Sequence, residues 1–149
     1  TRKTTPGIRL LEKYAVRTGG GWNHRLDLSS GIMLKDNHIK AAGGIKKAIN
    51  KIRKKEKNAK IELEIDYYHQ IKEGLECCVD GFLLDNMSPD QIKKAVKLIK
   101  NNNEKIFVEA SGGITEESLK RYLKTGVDAI SMGEITHSAP NIDIRLEII

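Results

Sequence analysis

Apolar and polar positions along this chain recur with two periods, 3.6 and 2. Ile45, Ala48, Ile49 and Ile52 fall at the spacing of one helix face and predict a helix over about 42–57. Residues 61–66 alternate strictly, Ile-Glu-Leu-Glu-Ile-Asp, and predict a strand with Glu62, Glu64 and Asp66 on one face. Helices follow over about 68–76, 89–100 and 116–124, with strands over 81–85, 105–110 and 128–132 between and after them. The helix from 89 carries a full start signal, with Ser88 as N-cap, Pro89 at the first helical position and Gln91 completing a capping box. Thr115 caps the helix from 116, and Gly126 closes it. Upstream the pattern is less regular. Residues 1–5 read as the end of a strand turned by Pro6. A short helix over 8–16 has Leu10, Leu11, Tyr14 and Ala15 as its apolar side. A glycine loop at 19–21 follows, then two short strands over 26–28 and 32–35.

Strands alternating with helices predict a parallel sheet with right-handed crossovers. An open doubly wound sheet and a barrel both fit that alternation. Glu64 and Asp66, Asp85, Glu109 and Ser111, and Ser131 with Gly133 fall at the C-terminal ends of successive strands, the edge where barrel enzymes place their chemistry and open sheets also tend to. A buried parallel strand is normally apolar throughout, so the carboxylates of 61–66 are expected to face a polar lumen or cleft.

The length of 149 residues is that of one domain, and 39% hydrophobic with 31% charged residues suits a soluble globular chain. No apolar run approaches the ~20 residues of a membrane span, and the N-terminus does not read as a signal peptide. The two cysteines, Cys77 and Cys78, are adjacent, a spacing for neither a disulfide framework nor a metal site, and suit a reducing cytoplasm. The net charge of +6 has a local origin. Residues 46–60 hold eight basic side chains against the single acid Glu56, which leaves 18 basic against 19 acidic side chains elsewhere. With no interleaved aromatics, Lys46–Lys60 reads as a solvated helix face; the competing reading is a non-catalytic nucleic-acid-binding module. The chain lacks an initiator Met and carries chemistry-bearing residues at its first positions, which reads as a domain whose upstream partner is missing.

Three blocks set cations beside Gly, Thr or Asn: Thr1-Arg2-Lys3-Thr4-Thr5-Pro6-Gly7, Gly19-Gly20-Gly21-Trp22-Asn23-His24-Arg25, and Lys35-Asp36-Asn37-His38. Arg2, Lys3, His24, Arg25 and Lys35 could together hold a small molecule bearing several carboxylates or phosphates. Glu64 and Asp85 offer hard carboxylate oxygens suited to Mg²⁺ bridging a pyrophosphate, with Glu109 a further candidate. Ser111-Gly112-Gly113 at a strand-to-helix junction, and Ser131-Met132-Gly133 after the next strand, offer backbone N–H groups for a phosphate.

These blocks, with Glu62-Leu63-Glu64, Leu84-Asp85-Asn86-Met87, Ala110-Ser111-Gly112-Gly113-Ile114, Gly126-Val127-Asp128 and Ser131-Met132-Gly133, resemble in order the C-terminal domain of the quinolinate phosphoribosyltransferases. The resemblance covers essentially the whole chain. It implies an α/β fold, an incomplete, open (β/α) barrel of parallel strands, over 1–149. It implies transfer of phosphoribose from phosphoribosyl pyrophosphate to quinolinate with decarboxylation, giving nicotinate mononucleotide, pyrophosphate and CO₂ in NAD biosynthesis. Arg2, His24, Arg25 and Lys35 would bind quinolinate. Lys3, Glu64, Asp85, Ser111, Gly112, Gly113, Ser131, Gly133 and His137 would bind phosphoribosyl pyrophosphate, with Glu64 and Asp85 as Mg²⁺ ligands and Lys3, Glu64 and Asp85 as the catalytic set. The family's N-terminal domain, absent here, supplies an Arg to the neighbouring subunit of a homodimer or ring of dimers, so the isolated chain is expected to be inactive or nearly so. A molybdenum-transport-associated relative shares the Thr-Arg-Lys and His-Arg blocks, whereas Lys35-Asp36-Asn37-His38 and Leu84-Asp85-Asn86-Met87 favour the biosynthetic enzyme.

Overall fold

The computed structural model describes residues 2–148. Five strands, β1 (Ile32–Leu34), β2 (Ile61–Ile65), β3 (Gly81–Asp85), β4 (Phe107–Ser111) and β5 (Ala129–Ile130), form one sheet in the order of the chain, every pair parallel. Each step between parallel neighbours requires a crossover. These are supplied by α2 (Asp36–Ala42) with α3 (Ile45–Lys55), then α4 (Gln70–Glu76), α5 (Pro89–Asn102) and α6 (Glu116–Tyr122). Helix α1 (Arg9–Thr18) precedes the sheet and α7 (Glu134–His137) follows it. The strand order never reverses, which excludes the doubly wound alternative, whose sheet turns back at a switch point. Winding in one direction builds the arc of a barrel, and among the described residues β5 makes no pairing with β1, so the arc stays open.

The two faces of the sheet differ because side chains alternate. Leu34, Ile61, Leu63, Ile65, Phe82, Leu84, Val108 and Ala110 join Ile45, Ala48 and Ile49 of α3, Ile71 of α4 and Ile92, Ala95, Val96 and Ile99 of α5 in one apolar core. Full burial of each such side chain contributes roughly 1.5–3 kcal/mol. The opposite face presents Met33, Glu62, Glu64, Leu83, Asp85, Glu109 and Ser111 to a cavity. Carboxylates tolerated there must be matched by cations or protonated, and the site below shows both.

Several expectations need correction. Residues 2–5 form no strand, and Thr1 lies outside the described residues. Residues 26–28 bend instead of extending, because the Asp27 carboxylate accepts from Ser29 N–H at 2.9 Å and from both the Ser29 and Ser30 hydroxyls. The helix expected over 42–57 is interrupted at Gly43, whose φ of +80° is left-handed and terminates α2, so that α3 starts anew at Ile45. Asp66 lies past the end of β2 in an exposed bend, and does not line the cavity. On α1 the expected apolar side, Leu10, Leu11, Tyr14 and Ala15, is exposed, and the residue the helix buries is Lys13. The capping box at Ser88 forms as read, and Thr115 caps α6 as read, in a box with Ser118 that the sequence reading did not include. No helix among the described residues is long and apolar enough to cross a membrane.

Candidate active site

The cavity on the open face of the sheet has a volume of about 1780 Å³. Arg2, Lys3, His24, Arg25, Lys35, Glu64, Asp85, Ser111, Gly112, Gly113, Ser131, Gly133 and His137 all line it. The structure thus brings together every residue given a binding or catalytic role from the sequence, while Asp66 stays outside. Of the basic segment 46–60, only Lys60 lies along the cavity with them, while Arg53 turns away to Asp80. The rest is the outer surface of α3 and its C-terminal extension.

Register sets the levels of the side chains on this face. Glu64 pairs with Leu83 and Leu83 with Glu109, while Asp85 pairs with Ser111. Lys35, the residue after β1, makes an ion pair with Glu64. The Lys-Asp-Asn-His block is therefore a strand-to-helix junction. His38 Nδ1 accepts the Lys35 N–H at 3.0 Å, and Asp36 pairs with Lys40 one turn on, which fixes the point from which the Lys35 ammonium reaches β2.

Residues 19–31 cross the cavity mouth without regular structure and carry His24 and Arg25. The His24 ring accepts the Arg25 N–H at Nδ1 (2.9 Å), so Nε2 is the nitrogen left to carry a proton. Nε2 stands 3.3 Å from Glu109 Oε2 and 3.8 Å from Glu62 Oε2. Glu109 also accepts from the Ser131 hydroxyl. Burial opposes ionisation of Glu109, but the hydrogen bonds from His24 and Ser131 and the nearby imidazole win and hold its carboxyl below the usual range. Glu62 behaves in the opposite sense. Burial, then repulsion by Glu109, pushes its pKa up to about 7 against the pull of His24 and Arg25. Below about pH 7 the pair favours a proton on Glu62 with charge on Glu109. Arg25 donates from Nη1 to the Gly31 carbonyl at 3.1 Å, and its buried Nε has no acceptor among the described residues.

On the far side of the cavity Asp85 is raised above its ordinary value by burial, with Asp66 adding repulsion and Lys35, Lys3 and Ser111 opposing. Asn86, at a left-handed φ of 54°, donates from Nδ2 to Asp85 at 2.7 Å, and its own N–H binds the Ser111 carbonyl at 2.9 Å. Gly112 packs directly on Asn86. A Cβ at Gly112 would meet Asn86 Oδ1 at 2.4 Å, and its φ of +89° is itself left-handed, so only glycine fits. At the last strand end Thr136 of α7 donates to the Lys3 carbonyl at 2.9 Å, tying the N-terminal segment to the turn that carries Gly133 and His137.

Two groups of donors could take a metal ion. Glu64 and Asp85 present carboxylates to the cavity from neighbouring strands. His24, Glu62 and Glu109 bring one ligand atom each within 4.8 Å of one another. Sequence reasoning put Glu62 on the polar face but gave it no task, and missed its meeting with His24 and Glu109. Asn86 and Lys13 were likewise unassigned. Only the alternation in β2 signalled Glu62; positions 24, 62 and 109 come from a loop and two non-adjacent strands and meet only in the folded chain.

Comparison with known proteins agrees with this arrangement. The family profile described as "Quinolinate phosphoribosyl transferase, C-terminal domain" matches residues 1–147. A probable carboxylating nicotinate-nucleotide pyrophosphorylase from Bacillus subtilis is 48% identical over 149 residues, 99% of this chain and 50% of its own. The human carboxylating nicotinate-nucleotide pyrophosphorylase is 40% identical over the same shares. The crystal structure of NadC from Streptococcus pyogenes superposes with a TM-score of 0.87 at 44% identity, over 96% of this chain and 50% of that one. The chain spans about half the length of the curated relatives it matches. By profile, identity and fold, it belongs to the quinolinate phosphoribosyl transferase family, as that family's C-terminal domain.

Proposed function

We propose that this domain supplies the catalytic cavity for transfer of phosphoribose from phosphoribosyl pyrophosphate to quinolinate, with loss of the 2-carboxylate as CO₂, in NAD biosynthesis. The observation that carries the reading is the convergence in one cavity of a cationic loop, two strand-end carboxylates and a glycine turn, from blocks spread along the whole chain. His24, Arg25, Arg2 and Lys35 hold the two carboxylates of quinolinate and turn its ring nitrogen toward the sugar. The N–H groups at Ser111-Gly112-Gly113 and Met132-Gly133, with Ser131 and His137 close by, hold the 5-phosphate. Lys3 lies between the two substrates. As the bond from sugar carbon to pyrophosphate oxygen breaks, positive charge on the ribose is favoured by the carboxylates and negative charge on pyrophosphate by Lys3. The ring nitrogen forms the new bond, and the cationic ring then takes the electron pair as CO₂ departs and a proton adds at carbon 2.

Glu64 and Asp85 fit Mg²⁺ as its protein ligands, since both are hard oxygen donors and burial of Asp85 disfavours its charged form until a cation is near. When bound with the pyrophosphate, Mg²⁺ supplies charge neutralisation of the leaving group. The reading also takes in an N-terminal domain that makes up the other half of the relatives' length, a homodimer built with it, and a cytoplasmic setting suited to the free Cys77 and Cys78.

The test is production of nicotinate mononucleotide from quinolinate, phosphoribosyl pyrophosphate and Mg²⁺, followed by mass spectrometry. A chain extended to the relatives' length is expected to exceed the 149-residue chain by about 100-fold or more, the scale of losing a positioning contact. Equal rates contradict the need for a second domain. Absence of product from both contradicts the reaction.

A further inference from the structure

Helix α1 exposes its large apolar residues and buries a lysine. Leu10 is 72% exposed and Lys13 only 7%. Burying an ammonium is unfavourable unless its donors are satisfied. The Lys13 Nζ donates to the His24 carbonyl at 3.1 Å and to the Arg25 carbonyl at 3.3 Å. Asn23 returns a bond from Nδ2 to the carbonyl of Lys13 at 2.7 Å. Three consecutive loop residues are thus fastened to one turn of α1. Burial, then the nearby charge of Arg9, lowers the Lys13 pKa, a cost that the two carbonyl bonds offset.

The loop of residues 19–31 contains no helix or strand; Gly19, Gly20 and Gly21 bond back to α1 and Asp27 sets the turn at 27–30, which leaves 22–26 between them. Its side chains are held separately, His24 by Glu109 and Arg25 by the Gly31 carbonyl. A side chain can reach a substrate from a fixed direction only if the backbone beneath it is also fixed. We propose that Lys13 is a positioning residue for the carboxylate end of the cavity: its buried ammonium clamps the carbonyls of His24 and Arg25 and so aims their side chains at the substrate. The proposal rests on the reading of His24 and Arg25 as carboxylate-binding residues, and extends it to a lysine that lines the same cavity and acts through their backbone carbonyls. Exposed lysines on α3 carry a similar charge but no such bonds, which is what separates Lys13 from the surface cations.

The experiment compares wild type, Lys13→Met and Lys13→Arg, each in a chain extended to the relatives' length, in two readouts. Hydrogen exchange on the unliganded chain reports the loop. Calorimetry reports binding of quinolinate and, separately, of phosphoribosyl pyrophosphate with Mg²⁺. In Lys13→Met, exchange over 22–27 is expected to quicken about tenfold with β2, β3 and β4 unchanged. The quinolinate dissociation constant rises about tenfold while that of phosphoribosyl pyrophosphate stays within about twofold. Lys13→Arg, which keeps charge and donors, recovers most of both. Unchanged loop exchange, equal loss of both ligands, or a loosened loop with intact quinolinate affinity each overturns the proposal. A wild-type chain that binds no quinolinate while Lys13→Met still loosens the loop overturns the substrate reading instead, and leaves the clamp standing.

Discussion

His24 and Glu109 meet across the cavity, Nε2 to Oε2 at 3.3 Å, although one lies on an irregular loop and the other in the middle of β4. Glu109 is 3% exposed, so this contact ties a mobile kind of segment to the most rigid part of the sheet. It leaves one ring nitrogen committed to the Arg25 N–H and the other to a carboxylate.

Replacing Glu109 by Gln keeps the volume and removes the charge that accepts from His24 and Ser131. Quinolinate affinity in Glu109→Gln is expected to fall about tenfold, and phosphoribosyl pyrophosphate affinity to change little. Calorimetric titration of each ligand checks both halves.

Stability should depend on pH through Glu62. Its folded pKa, about 7, lies above the ordinary carboxylate value, so between the two the native state holds a proton that the unfolded state has released. That contribution is full below the unfolded value and is lost as pH rises through 7. Glu109, held below its ordinary value, acts only at lower pH, where its contribution is lost as the solution is acidified. Glu62→Gln should therefore flatten the decline toward pH 8 and be more stable there, by on the order of 1 kcal/mol. Urea unfolding of both proteins at pH 5 and pH 8 measures this.

Much of the sheet was legible because its strands are bounded by turn signals and its helices carry caps. The strict alternation of β2 announced two faces of unlike polarity, and the cavity lies on the polar one. The N-terminal third was harder to read for definite reasons. Leu10, Leu11 and Tyr14 have helical spacing, but a spacing marks a face and does not say what covers it; here the helix is anchored through Lys13. Gly43 breaks a run whose hydrophobic period is otherwise continuous. The aspartate at position 27 diverts a strand-like stretch through hydrogen bonds to its neighbours. The partnership of residues 24, 62 and 109 has no local signal at all, because each comes from a different element.

The sheet also repeats a structural device. Asp80, just before β3, accepts the Ile61 N–H at 2.9 Å and pairs with Lys60 and Arg53. Asp128, just before β5, accepts the Val108 N–H at 2.8 Å and pairs with Lys100. Each carboxylate satisfies a backbone donor at the start of the preceding strand. Asp80→Ala is expected to destabilise by roughly 1–3 kcal/mol. Lys40→Ala, at an exposed i,i+4 pair, should stay within about 0.5 kcal/mol. Denaturant midpoints at constant slope give the comparison.

The glycine turn offers a substitution confined to one end of the cavity. Gly112→Ala must displace Asn86 and adopt a left-handed backbone. Phosphoribosyl pyrophosphate binding should weaken by about tenfold or more, with quinolinate binding retained. Parallel titrations of the variant decide this, and loss of both ligands together would indicate damage to the fold instead.

The central claim is that His24 and Arg25 form part of a clamp for a dicarboxylate. Its most direct measurement is calorimetric titration of quinolinate into the 149-residue chain at low salt, with nicotinate in parallel and Arg25→Ala as the variant. The account predicts quinolinate binding that nicotinate does not match and that Arg25→Ala abolishes. Equal binding of the two acids, or quinolinate binding untouched by Arg25→Ala, would contradict it.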